Sequence, residues 1–160
     1  MDEDGIKITT FFLDSDSDEC EVGLLKSLDN TLGMIRPLCV IGYGIRQYDI
    51  PLLCIKKQHY SLLLWKLIDM CESAVHIDLY HILKYKGYKK LEDALSSSEF
   101  SGLPLRIISE LVPKDRKKKG PEIYRLWRED REKLKKYTQN EVYNMLLLSE
   151  KIMSEGFQTR

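Results

Sequence analysis

The stretch Val40 to Leu53, VIGYGIRQYDIPLL, constrains this chain more than any other. An apolar run, Leu38 to Ile41, predicts a short strand buried on both faces. It enters a Gly-Tyr-Gly turn, and Tyr48, Asp49 and Pro51 follow directly. Proline is pre-set for the first turn of a helix, so Pro51 to about Gln58 reads as helical. The product is a strand–turn–helix corner bearing one carboxylate. Asp49 can cap the new helix there, or hold a divalent cation.

The same rules order the rest of the chain. Ile6 to Leu13, IKITTFFL, is β-branched and aromatic between Gly5 and an acidic run, and predicts a strand. Ser17 or Asp18 caps a helix near Glu19 to Leu32, which Gly33 ends. Ser61 to Cys71 reads as helix or loop with Trp65 on an apolar side, and Ala74 to Leu79 as a second buried strand. Asp78 is placed to cap the helix Tyr80 to Lys86, which Gly87 stops. Leu91 to Ser96 and Leu103 to Leu111 predict short helices. The last helix spans about Asp130 to Ser154. Leu134, Glu141 and Leu148 recur every seven residues there, interleaved with Thr138, Met145 and Ile152, so Glu141 projects from a mainly apolar stripe.

A chain of 160 residues has room for one core, so a single domain is expected over 1–160. No run of 18 apolar residues is present, and the acidic N-terminus lacks the pattern of a secretory leader; no membrane partner and a cytoplasmic setting are expected. Cys20, Cys39, Cys54 and Cys71 form no CxxC pair, and Cys39 and Cys54 sit in apolar runs as expected buried thiols.

A formal net charge of zero conceals an asymmetry: residues 1–30 hold nine acids and two bases, and residues 114–136 hold eleven bases and five acids. The basic part includes Lys114, Arg116, Lys117, Lys118 and Lys119, in a segment between Pro113 and Pro121 that reads as a loop. Clustered cations of this kind displace counterions from a phosphate backbone, or simply face water.

Four segments, in this order and spacing, resemble the DnaQ-like 3′–5′ exonucleases, in the branch related to the exonuclease domain of family-B DNA polymerases. VIGYGIRQYDIPLL looks like the turn whose aspartate binds metal. His76 to Leu83 looks like the next strand and helix, and Lys89 to Leu95 like the short helix after it. Glu132 to Leu148 looks like the last motif, a tyrosine followed four residues later by an acid on one helical face. The resemblance implies an α/β fold of the RNase H-like kind. It would have three layers and a small mixed sheet flanked by helices, with the N-terminal part of the sheet reduced.

It also implies a chemistry. Such enzymes cleave phosphodiesters with two divalent metals about 4 Å apart, held by carboxylates. Carried over by position, Asp49 is the turn ligand, Tyr137 orients the attacking water, and Glu141 stands where aspartate is usual. Gly44 replaces a common asparagine, and Tyr48 the usual phenylalanine. No strand ending in acid-x-Glu precedes the first helix. Either IKITTFFL is the family's third strand and the main ligand strand is absent, or it takes the first-strand position and Asp14 with Asp16 imitates the acidic pair.

Three functions remain open at this point. The chain is an exonuclease-like nucleic-acid-binding protein with an incomplete metal site, inactive or weakly active. Alternatively it is a live 3′–5′ exonuclease using Mg²⁺ or Mn²⁺ on single-stranded DNA or RNA. Or it is a protein–protein assembly module. An uncovered sheet edge would also favour a homodimer.

Overall fold

Ser17 opens the first helix, α1 (Asp18–Ile35): its Oγ accepts the Cys20 N–H at 3.3 Å. Asp18, Glu19 and Glu21 put negative charge at the helix's positive end. The structure is a computed structural model, and it describes residues 8–106 and 116–155. Gly33 does not end α1. Its missing side chain instead lets Lys66 approach, since a Cβ there would stand 3.2 Å from the Lys66 Cγ. The helix stops at Arg36, in the left-handed region at φ 49°, whose N–H bonds the Leu32 carbonyl at 2.8 Å.

Two strands follow, β1 (Cys39–Gly42) and β2 (Val75–Asp78), paired in parallel with Cys39 opposite Val75 and Gly42 opposite Asp78. The connection between them contains α2 (Asp49–His59) and α3 (Trp65–Ser73), as a parallel pair requires. The architecture is therefore mostly helical and broadly α/β, and the expected mixed sheet is one parallel pair among the described residues. The predicted strand at Ile6 to Leu13 is not formed over residues 8–13; Ile6 and Lys7 lie outside the described residues. Strand propensity needs a neighbouring strand to express it, and among the described residues β1 and β2 pair only with each other.

The chain divides into two compact units. In the first, Phe11–His81, the core is Leu25, Leu64 and Leu67, with Leu28, Leu32, Leu53 and Met70 packed on it. α3 has no side-chain cap of its own, and Asp29 of α1 supplies one by accepting the Leu67 N–H at 2.8 Å. Trp65 lies two positions from Leu67, about 200° around the helix, and is 65 % exposed rather than on the apolar side. The strands are less covered than expected: Val75 is exposed, as are Leu38 and Cys39 at the start of β1. Cys54, on the outer side of α2, is exposed too.

The second unit contains Ile82–Arg160 and the start of the chain. α4 (Leu79–Tyr85) leads into it and ends at Gly87, whose φ of 93° suits only glycine well, with Tyr88 N–H returning to the Leu83 carbonyl. α5 (Leu91–Leu95) and a 3₁₀ turn (Ser98–Phe100) bury Leu91, Ala94 and Phe100. Leu103 to Arg106 is not helical, and the rest of that predicted helix lies outside the described residues. Buried Asn144 fixes this stretch to the last helix, accepting the Arg106 N–H and donating to the Arg106 carbonyl, both at 2.8 Å.

α6 (Arg116–Glu129) and α7 (Arg131–Glu155) fold back on each other about Asp130, whose Oδ1 caps α7 through the Lys133 N–H at 3.0 Å. The basic run from Arg116 is thus the first turn of a helix rather than a loop. Lys and Arg are strong helix formers, and α6 continues through Pro121 although proline there removes one backbone hydrogen bond. Lys114 lies outside the described residues. Among the described residues, no helix is long and apolar enough to cross a membrane.

Candidate functional site

The corner after β1 is built from glycines and closed by one acid. Gly44 has φ 76°, in the left-handed region, which explains a glycine here. At Gly42 any Cβ would collide with the Ile45 side chain. The Gly44 carbonyl accepts the N–H groups of Gln47 and Tyr48, both at 3.0 Å, and turns the chain into α2. Asp78, at the end of β2, holds the corner from the other strand. Its Oδ1 accepts Gly44 N–H at 2.7 Å and Tyr80 N–H at 3.0 Å, and its Oδ2 accepts Arg46 N–H at 3.2 Å. The expected cap of α4 is present in the Tyr80 bond. The two bonds to the turn are the part that sequence reasoning missed, because they join residues 34 and 32 apart.

Asp49 is the first residue of α2 and remains exposed. Crowding by surrounding protein pushes its carboxyl above the usual carboxylate value, and the Asp78 charge adds to this, against the bond to its own backbone N–H. Asp78, however, has given both oxygens to backbone N–H donors. A cation at this corner would have to compete with them for the carboxylate.

Asp14 and Asp16 occupy the bend before α1, both exposed, and it is Ser17 that caps the helix. The polar cluster in this unit lies elsewhere: Glu21 Oε2 accepts from Tyr60 Oη at 2.6 Å and from Lys56 Nζ at 2.8 Å, tying α1 to α2. His76 is half-buried and its Nε2 lies 3.1 Å from the Met70 carbonyl, a structural contact.

In the second unit the final helix brings Tyr137 and Glu141 together, as their spacing predicts. Tyr137 Oη donates to Glu141 Oε1 at 2.8 Å while its ring is buried. The same oxygen is reached by Lys119 Nζ of α6 at 3.0 Å, and Glu92 Oε1 lies 3.7 Å from that ammonium. Lys119 is therefore turned toward α7. Burial alone would lower its pKa; the hydrogen bond to Tyr137 and the charge of Glu141 outweigh burial and raise it. Burial raises the Tyr137 pKa, Lys119 opposes, and Glu141 adds to the rise. Lys118 is exposed beside it, and Arg116 and Lys117 open α6.

Asp49 thus belongs to the first unit and Tyr137 with Glu141 to the second. Among the described residues, no three His, Cys, Asp or Glu side chains are grouped to hold a metal ion. Asp78 accepts three backbone N–H groups on its two oxygens, and Glu141 Oε1 is shared by an ammonium and a phenol. No family model, no curated protein and no solved structure matches the chain.

Proposed function

We propose that this chain is a non-catalytic relative of the DnaQ-like exonucleases that binds single-stranded nucleic acid. One observation supports the reading above the others: Glu141 Oε1, at the position of a metal ligand, is bonded by both Lys119 and Tyr137. An ammonium supplies positive charge to that carboxylate without a metal. It has no open coordination position for water, and it cannot lower the pKa of a nucleophile as a divalent cation does. The tyrosine that would orient water is spent on the same oxygen. What remains for such a protein is the polynucleotide itself, for which the basic helices of the second unit offer charge.

The test is an incubation of 5′-labelled single-stranded DNA and RNA with Mg²⁺ or Mn²⁺, alongside a binding titration at several salt concentrations. The expected result is intact oligonucleotide and an affinity that falls as salt rises. Metal-dependent release of nucleotides that disappears in Asp49→Ala would establish a live exonuclease instead. Absence of binding together with a concentration-dependent oligomer would favour an assembly module.

A further inference from the structure

The expected binding run is partly consumed by the fold, because Lys119 is committed to Glu141. Arg125 is likewise held, by Glu122 and Glu129, each at 2.7 Å. Yet Lys118, Arg128, Lys135 and Lys136 form no ion pair among the described residues, and all four are exposed. Charge that can meet a phosphate is therefore present at the junction of α6 with α7, at Arg128, as well as at Lys118 near the start of α6.

Aromatic rings lie at that junction. Tyr124 is 57 % exposed, and its ring centroid is 5.6 Å from that of Trp127, the planes inclined at 41°. Arg128 and Arg131 each place a guanidinium carbon 5.8 Å from the Trp127 centroid. Arg131 Nε also donates to the Trp127 carbonyl at 3.2 Å, which fixes the corner at Asp130. Sequence-independent binding of single strands needs two things together: π-faces on which bases stack and cations that track the backbone. The first unit offers no such pairing at its exposed indole, since Trp65 shares its helical face with Asp69 and Glu72.

We infer that the α6–α7 corner is a stacking platform for a single-stranded polynucleotide, with Tyr124 and Trp127 taking bases and Arg128 and Lys135 taking phosphates. This rests on the proposed nucleic-acid reading and gives it a location. The Lys119–Glu141 pair then has a supporting part: it holds α6 against α7 and so sets the corner's angle.

The experiment uses the full chain and fluorescein-labelled oligo(dT) and oligo(rU) of about 15 nucleotides, followed by anisotropy at low and moderate salt. A Trp65→Phe background leaves Trp127 as the lone indole, so that its emission reports contact directly. Quenching of that emission on binding is expected. Tyr124→Ala and Arg128→Glu should each weaken binding roughly tenfold, and Lys135→Glu should reduce the salt slope. Trp127→Tyr should bind better than Trp127→Ala, a difference that loss of folding alone does not produce when both variants show the same circular dichroism. Undiminished binding by Tyr124→Ala and Arg128→Glu with no quenching would overturn the platform and leave the broader reading standing. Failure of the unmodified chain to bind either homopolymer at low salt would overturn both. Preference between the DNA and RNA probes identifies the strand type.

Discussion

Lys119 Nζ stands 3.0 Å from Glu141 Oε1, so the acid on the inward stripe of α7 carries its own counter-ion. Glu92 lies on the other side of the same ammonium at 3.7 Å. Removing the cation leaves two carboxylates facing one another beside a buried phenol. Lys119→Ala should destabilise the protein by about 1–2 kcal/mol, below the cost for a fully buried pair because these side chains keep about a quarter of their surface exposed. Lys119→Met combined with Glu141→Gln should recover most of the loss. Urea unfolding midpoints of the single and double variants measure both.

The same cluster predicts alkaline lability. Tyr137 and Lys119 both have native pKa values above their usual 10.0 and 10.5. An unfolded chain therefore releases these protons at lower pH than the native one. Stability from the pair is complete below pH 10 and declines as pH rises above it, since the native state then binds more protons. The melting temperature should fall from pH 10 upward, and Tyr137→Phe should flatten that fall while lowering stability at pH 7.

At the other corner, Asp78 satisfies three backbone donors from a position 6 % exposed. Asp78→Ala leaves the Gly44 and Tyr80 N–H groups without their acceptor and should cost about 3 kcal/mol. Gly44→Ala forces a side chain to φ 76° and sets its Cβ 3.1 Å from the Tyr48 ring, for a loss of about 1–2 kcal/mol. Chemical denaturation and the loss of slow amide exchange at Gly44 check these two.

Which of these relationships could be read from the chain alone follows from how far apart the partners lie along it. The β1–turn–α2 corner was legible because glycine and proline act on their own dihedrals. Tyr137 and Glu141 were legible as neighbours because four residues is one helical turn. Asp29 capping α3 across 38 residues, Asp78 closing the turn across 34, and Lys119 reaching Glu141 across 22 were not. Those contacts exist only once helices have packed, and no local propensity encodes the packing. The basic run reads as a loop for the same reason: its flanking prolines say loop, whereas helix-forming residues with Lys119 docked on α7 make it helix.

Asp49 gives a prediction of unusual sign. Its native pKa lies above the usual 3.8, by desolvation first and then by the Asp78 charge. A raised carboxyl favours the native state most when protonated, so its ionisation weakens the fold as pH rises through the native value. Asp49→Asn should then stabilise the protein at pH 7 by roughly 0.5 kcal/mol, and the gain should vanish near pH 3, where both states carry the proton. The N-cap position of α2 belongs to Tyr48, and no side chain caps the helix there. Stability of the variant measured across that range decides it, and an Asn variant less stable at pH 7 would return Asp49 to capping.

Cys71 should be the slowest thiol to react. It lies on α3, half-buried against the Leu25–Leu64–Leu67 core, and the pocket beside it is also lined by Cys54. Burial pushes its pKa up to about 11, and the neighbouring Cys54 adds to the rise. The thiolate is the nucleophile, so at pH 8 only a very small fraction of Cys71 is reactive. Exposed Cys39 and Cys54 should be alkylated first by iodoacetamide, with Cys71 following only as pH approaches 11. Peptide mass mapping at successive pH values reads the order directly. Cys54→Ser removes one of the causes beside burial and the Glu72 charge, and should speed Cys71 labelling at pH 9. If Cys71 labelled as fast as Cys39 at pH 8, its packing against the core would be wrong.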